Sequence, residues 1–154
     1  MTEEIKARIK NAAALEKIIQ KNGSIFSHEL GSTDTYFRQP QGRVLKVTED
    51  QRGAFVAELR EKSGRFSVTK NERIEDAKKF KMKMKKEYGI ESVLKKKIRV
   101  FILGKYTINI VSIKGLGSFV VLESDKADVG TLKKIMDSKN PDIISVPFNQ
   151  LKKR

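Results

Sequence analysis

The chain has 154 residues, a length that predicts one domain spanning 1–154. It contains no cysteine, which excludes disulfides, thiolate nucleophiles and cysteine zinc sites. Its formal net charge of +14 predicts an anionic, phosphate-rich partner. No apolar run is long enough to span a bilayer, and the acidic start at 1–4 is unlike a basic signal peptide. We therefore expect a cytoplasmic protein with no membrane partner.

The first half of the chain predicts one helix among short strands. Charged and apolar residues alternate from Glu4 to Ile9, which predicts a strand. Asn11 and Gly23 provide the start and stop signals of a helix between them. Strands are predicted at 24–30, 34–38, 43–49 and 54–62, separated by turns at 31–32, 39–42 and 50–53. This spacing indicates antiparallel hairpins.

The second half begins with a predicted basic helix and returns to strands. The helix runs from Asn71 to Gly89, with apolar residues at helical spacing and lysines over the rest of its surface. Strands are predicted at 93–103, 105–114 and 118–124. A short helix near 128–138, a strand at 143–146 and a tail helix from Pro147 complete an α+β chain.

Two predicted strands have a charged second face opposite an apolar one. These charged faces are Glu4, Lys6 and Arg8 in the first strand, and Glu58, Arg60 and Lys62 in a later one. Such a face could belong to an open sheet and lie in water. Alternatively, the sheet closes into a barrel with these charges in its lumen and helices outside. Buried charges need partners, and an anionic phosphate chain is a suitable one.

Several motifs carry a resemblance to a known family. They are EIKAR at 4–8, DTYF at 34–37, PQGR at 40–43, LKVTE at 45–49 and GLGSF at 115–119. In order and spacing they resemble the signature segments of the CYTH superfamily, which includes class IV adenylyl cyclases, thiamine triphosphatases and inorganic triphosphatases. The resemblance extends over nearly the whole chain.

The resemblance implies an eight-stranded antiparallel β-barrel, the triphosphate tunnel, with helices packed outside. In that family, basic side chains in the barrel hold a triphosphate or polyphosphate, and carboxylates hold Mg²⁺ or Mn²⁺. Together, the resemblance and the charged strand faces give substrate-binding candidates Lys6, Arg8, Lys46, Arg60, Lys62 and Lys96. Glu4 and Glu123 are the metal candidates, and no catalytic residue is assigned.

The chain departs from the family pattern where charged residues are expected. The departures are Thr2, Thr48, Ile98, Thr107, Val111 and Val121. We therefore expect at most one metal ion, bound together with the ligand, and catalysis that is weak or lost. One alternative is a metal-dependent triphosphatase or class IV adenylyl cyclase. A second alternative is a nucleic-acid-binding module that uses the lysines of the helix before Gly89.

The register of the strand around Lys96 leaves two readings. Lys95, Lys97 and Arg99 share one face, and Lys96 and Ile98 share the other. A one-residue slip or a bulge would turn three cations into the lumen, whereas without it they are solvated.

Overall fold

A computed structural model describes residues 2–151. The strands are β1 (Thr2–Ile9), β2 (Ile25–Phe37), β3 (Arg43–Asp50), β4 (Gly53–Lys62), β5 (Arg65–Ile74), β6 (Ile90–Leu103), β7 (Tyr106–Ile113), β8 (Gly117–Ser124) and β9 (Asp142–Ile144). The helices are α1 (Ala12–Lys21), α2 (Ala77–Tyr88) and α3 (Val129–Met136), and a short 3₁₀ turn follows at Phe148–Gln150. Among residues 2–151, none of the helices has the length and apolar character needed to cross a membrane.

Strands β1 to β8 close into an antiparallel barrel, as predicted. Their order is β5-β4-β3-β2-β6-β7-β8-β1, and pairing of β1 with β5 closes the ring. The free edge of β1 is shared, because residues 2–4 pair with β5 and residues 6–8 pair with β9. Closure removes the exposed edges of the sheet and encloses every inward-facing side chain in one lumen.

The helices cover the outside of the barrel, also as predicted. Apolar residues of α1 and α3, including Leu15 and Leu132, pack on outward side chains of β1, β7 and β8 such as Ile5 and Val120. On another side, Phe80 of α2 and its neighbour Met84 pack on the β2–β4 wall. The barrel therefore has an apolar outer layer wherever a helix covers it.

The helix ends follow local capping chemistry. The Asn11 side chain accepts a hydrogen bond from the backbone N–H of Ala14 at 3.0 Å and starts α1. The Asp76 side chain does the same for Lys79 at 3.0 Å and starts α2. Gly89 follows α2 with a φ of 82°, which a side chain would disfavour, and lets the chain enter β6 at once.

Several predicted boundaries are wrong. The turn predicted at 31–32 is absent, and β2 runs unbroken across it because both residues pair with β6. The helix predicted from Asn71 begins at Ala77, since residues 65–74 form β5, a strand that the sequence analysis missed. The predicted tail helix is a 3₁₀ turn at Phe148–Gln150.

Candidate functional site

The barrel interior contains a cavity of about 670 Å³, within the range typical of small-molecule sites. Glu4, Lys46 and Glu123 line it together with polar residues such as Asn109. Lys6 and Lys96, two of the predicted substrate-binding residues, also lie inside the barrel. They are only 5% and 7% exposed and are buried below the cavity surface instead of lining it. Five of the eight predicted site residues thus lie in the cavity wall or directly beneath it.

The prediction that Arg60 and Lys62 face the lumen is wrong. Alternation along β4 turns Ala57 and Leu59 inward, where they join a buried apolar cluster. Arg60 and Lys62 therefore point outward, and both are exposed. The charged face of β4 therefore lies in water, as the sequence analysis expected for a sheet with one solvated face.

Arg8 lies at the opposite end of the barrel from the cavity. Its Nη1 donates a hydrogen bond to the carbonyl oxygen of Leu116 at 2.8 Å, and its guanidinium stacks 4.8 Å from the centroid of Phe119. Gly117 permits this close approach, because a Cβ there would lie 3.3 Å from the same Nη1. Arg8 thus holds the GLGSF turn, and it does not line the cavity.

The register of β6 follows the reading without a slip. Lys96 points inward and is buried, whereas Lys95 and Lys97 are exposed on the outer face. Arg99, also on the outer face, forms an ion pair with Glu16 of α1 at 3.0 Å. These three cations therefore add nothing to the lumen.

Beneath the cavity lies a group of buried residues that we call the floor cluster. It comprises Lys6, Asp34, Tyr36, Lys96 and Phe148. Asp34, 2% exposed, accepts hydrogen bonds from Lys96 Nζ at 2.5 Å and from Lys46 Nζ at 3.2 Å. The Tyr36 hydroxyl accepts one from Lys96 Nζ at 2.8 Å. Asp34 is thus an internal counter-ion for two lysines that were expected to bind phosphate.

The ionisation of the floor cluster follows from these contacts. Burial alone would raise the pKa of Asp34, but Lys46 and Lys96 outweigh it and hold that pKa well below its usual range. Burial would also lower the pKa of Lys46, but Asp34 reverses this and raises it. Asp34 and Lys46 therefore form a charged ion pair at the base of the cavity.

Lys6 is the exception within the floor cluster. Its Nζ lies 4.3 Å from the ring centroids of both Phe66 and Phe148 and 4.0 Å from a carboxylate oxygen of Glu4. Burial, aided by the charges of Lys46 and Lys96, lowers the pKa of Lys6 to about 7. Glu4 and the two phenyl faces oppose this shift by favouring the protonated amine.

The two metal candidates face each other across neighbouring strands. Glu4 of β1 lies directly opposite Glu123 of β8, and both line the cavity. Asn109 donates a hydrogen bond to Glu123 Oε2 at 3.3 Å. Burial, and then the charge of Glu4, raise the pKa of Glu123. Two adjacent carboxylates that line one cavity suit a divalent cation.

The donor set fits one ion rather than two. Within residues 2–151, no group of three or more metal-binding side chains of His, Cys, Asp or Glu comes together. Val111 and Val121, which stand where the resemblance led us to expect carboxylates, are buried in an apolar cluster with Phe119 and Phe148. An ion at Glu4 and Glu123 would therefore need water or ligand oxygens to complete its shell.

Sequence reasoning missed the role of Asp34, although the residue belongs to a motif that carried the resemblance. Its pairing with Lys96 spans 62 positions, so no local pattern signals it. The predicted break in β2 also separated Asp34 from Leu30, with which it shares an inward face. Because β2 is continuous, Asp34 and Leu30 lie on the same inward face of one strand.

Comparisons with known proteins bear on the fold. No family model and no curated protein matches the chain. The PH1012 protein from Pyrococcus horikoshii has a similar structure, with a TM-score of 0.87, 17% identity, and coverage of 98% of this chain and 99% of that one.

Two structures with enzyme names share the fold more distantly. An adenylate cyclase candidate from Vibrio parahaemolyticus matches with a TM-score of 0.61 and 20% identity, covering 89% of this chain and 83% of that chain. An adenylyl cyclase candidate from Hippeastrum, described as having a dominant triphosphatase activity, matches with a TM-score of 0.58, 12% identity, and coverage of 89% and 85%. The chain therefore shares the fold of these structures, a closed eight-stranded antiparallel barrel with its helices packed outside.

Proposed function

We propose that the barrel binds a nucleoside triphosphate, inorganic triphosphate or polyphosphate as a complex with one Mg²⁺ or Mn²⁺ ion, with weak or absent turnover. The observation that carries the proposal is that Lys46 and the carboxylate pair of Glu4 and Glu123 line the same cavity. A cation for phosphate and a site for a bridging divalent ion are thus available to one ligand. The names of the two distant structural neighbours point to the same ligand class.

The metal ion is central to this proposal because the charges in and around the cavity nearly balance. The cations are Lys6, Lys46, Arg52, Lys70 and Lys96, and the carboxylates are Glu4, Asp34, Asp50 and Glu123. A bare triphosphate would meet little net positive charge there, whereas its magnesium complex is less anionic and offers a cation to the carboxylates. When bound, the ion would neutralise phosphate charge and polarise a phosphorus–oxygen bond.

Weak or absent turnover rests on the missing second ion. Val111 and Val121 offer no oxygen, so the charge that develops in phosphoryl transfer would be stabilised by one ion and by Lys46. The alternative of a metal-dependent triphosphatase or class IV adenylyl cyclase requires that this reduced set suffices. Measuring phosphate and pyrophosphate release from ATP and triphosphate in Mg²⁺ or Mn²⁺ distinguishes the two.

Calorimetry with inorganic triphosphate and ATP, in Mg²⁺ and in EDTA, tests the binding itself. Lys46→Met removes one charge-assisted contact, worth about 1.5–3 kcal/mol, so affinity should fall roughly tenfold to a hundredfold. Lys62→Met is the matched control, because that lysine lies exposed on the outer face, and affinity should stay unchanged. No binding in either buffer, or equal losses in the two variants, would rule out the proposed site.

The second candidate, nucleic-acid binding, has one specific observation in its favour. Five lysines of α2 are exposed, at positions 78, 79, 83, 85 and 86, and Glu87 is the one acidic residue of that helix. A surface of this kind can bind phosphate backbones without using the lumen. The helix and the cavity can therefore be tested separately.

A further inference from the structure

One wall of the cavity carries a band of aliphatic side chains, which we call the apolar strip. It comprises Leu30, Ile98, Val100 and Ile102, which line the cavity, and Ile25, which lies opposite Ile102 beyond the lining. His28 and Ser32 of β2 lie on the same wall. Leu30 lies opposite Ile98, and Ile25 lies opposite Ile102. Alternation turns the three β6 residues toward the interior, where they line the cavity with Leu30. Ile98 and Ile102 are four residue steps apart, or about 13 Å, so the strip extends from deep in the cavity to its rim.

The outer end of the apolar strip is open to solvent. Ile25 is 72% exposed and Ile102 is 40% exposed. Neither residue is needed to fill the closed end of the barrel, where Phe119, Phe148 and their apolar neighbours already pack. Exposed aliphatic surface that continues into a cavity loses unfavourable hydration when a ligand covers it.

An inorganic phosphate chain does not complement this wall. Its oxygens need hydrogen-bond donors or cations, and aliphatic side chains supply neither, so a phosphate pressed against the strip would lose hydration without replacement. The charged groups Glu4, Lys46 and Glu123 also belong to other strands, β1, β3 and β8. The cavity thus has a polar side for one part of a ligand and an aliphatic side for another.

An aromatic ligand body is also a poor match. The aromatic side chains among the described residues that line the cavity are Phe55 and the imidazole of His28. The guanidinium groups of Arg52 and Arg73 lie 5.7 and 5.8 Å from the Phe55 centroid, so cations already occupy that ring. A nucleobase could therefore stack only on the imidazole of His28, whereas an aliphatic chain needs no ring.

We infer that the preferred ligand is an organic phosphate with a short phosphate head and a linear aliphatic body. The head contacts Lys46 and the metal ion at Glu4 and Glu123, and the body lies along the apolar strip. This inference rests on the proposed phosphate site and narrows its ligand class. Within that class, it ranks an alkyl or isoprenoid phosphate above inorganic triphosphate and ATP.

The experiment compares butyl phosphate, octyl phosphate, inorganic triphosphate and ATP by calorimetry in Mg²⁺, below micellar concentrations. Each fully buried methylene is worth about fourfold in affinity, so octyl phosphate should bind much more tightly than butyl phosphate. Octyl phosphate should also bind more tightly than inorganic triphosphate. An octyl chain with a trimethylammonium head serves as the probe for recognition without phosphate.

Ile102→Lys supplies the variant, because that side chain is partly exposed and its replacement tolerates solvent. It should weaken octyl phosphate at least tenfold and strengthen inorganic triphosphate. Val93→Lys is the matched control, since Val93 lies on the outer face of the same strand and is 53% exposed. It should change neither affinity, and thermal melts of both variants verify folding.

The outcomes separate this inference from the proposed function. Tight binding of inorganic triphosphate with no dependence on alkyl chain length would overturn the aliphatic body and leave the phosphate site standing. Equal affinity for the octyl phosphate and the octyl ammonium compound would overturn the phosphate head, and the proposed function with it. No binding of any phosphate compound would overturn both.

Discussion

Replacing Asp34 by asparagine should expose the charge that the carboxylate now neutralises. Asp34 is buried and bonded to Lys96 at 2.5 Å and to Lys46 at 3.2 Å. Removing one partner of a buried ion pair typically costs about 3–5 kcal/mol, because the other charge stays buried without compensation. For a chain of this size, that loss corresponds to a melting temperature lower by about 6–20 °C.

The same variant should gain affinity for anions. Without the carboxylate, Lys46 and Lys96 present two uncompensated cations at the base of the cavity, where an external phosphate can take the place of Asp34. A ligand that binds the folded state stabilises it, by about 2.7 kcal/mol at a hundredfold excess over Kd. Inorganic triphosphate should therefore raise the melting temperature of Asp34→Asn more than that of the wild type, even in EDTA.

Glu75→Gln provides the matched control for this prediction. Glu75 is exposed between β5 and α2 and does not line the cavity, so its replacement changes the net charge equally but leaves the lumen untouched. Surface changes of this kind usually stay within about 0.5 kcal/mol. The reasoning is refuted if Asp34→Asn is as stable as this control, or if triphosphate stabilises both variants equally.

Three further predictions concern the carboxylate pair, the floor cluster and α2. Glu123→Gln should remove the gain in triphosphate affinity on adding Mg²⁺, and equal magnesium dependence in both proteins would contradict the proposed ion. In EDTA, the free energy of unfolding of the wild type should rise between pH about 7 and pH 10.5, by up to about 1.4 kcal/mol per pH unit. In this range Lys6 is deprotonated in the folded state, whereas the same lysine in the unfolded chain still binds a proton. Urea titrations of Lys6→Met should lack this rise, and its persistence would locate the titration elsewhere. Replacing Lys79, Lys83 and Lys86 with glutamine should weaken the binding of duplex DNA, in a salt-dependent manner. The same change should alter triphosphate affinity by less than about 0.5 kcal/mol. A loss of triphosphate affinity would instead identify α2 as the anion site.

Part of the interior could be predicted from the sequence because motif order and strand alternation agreed there. Alternation in β1 separates Lys6 from Ile5, and the structure has the lysine inside and the isoleucine outside. Lys46 and Lys96 were placed correctly in the interior by the same combination. Where a motif and a periodicity agree, inward and outward faces are well determined.

In β4, the same alternation was present but its direction was assigned wrongly. The strand has one face of Ala57 and Leu59 and another with Arg60 and Lys62. Periodicity shows that the faces differ without showing which one is enclosed. The apolar face packs inside the barrel with Tyr36 and Phe66, so the charged face is left to solvent. Only the packing partners, distant in sequence, decide between the two.

The net charge does not show where an anion would bind. A charge of +14 predicted an anionic partner, yet the five cations in and around the cavity are nearly matched by four carboxylates. Most of the excess charge therefore belongs to the rest of the chain. A field of that origin attracts anions toward the protein and raises their association rate, which salt suppresses. We expect affinity in the cavity to depend instead on Asp34, the carboxylate pair and the apolar strip, so net charge alone does not identify the ligand that stays bound.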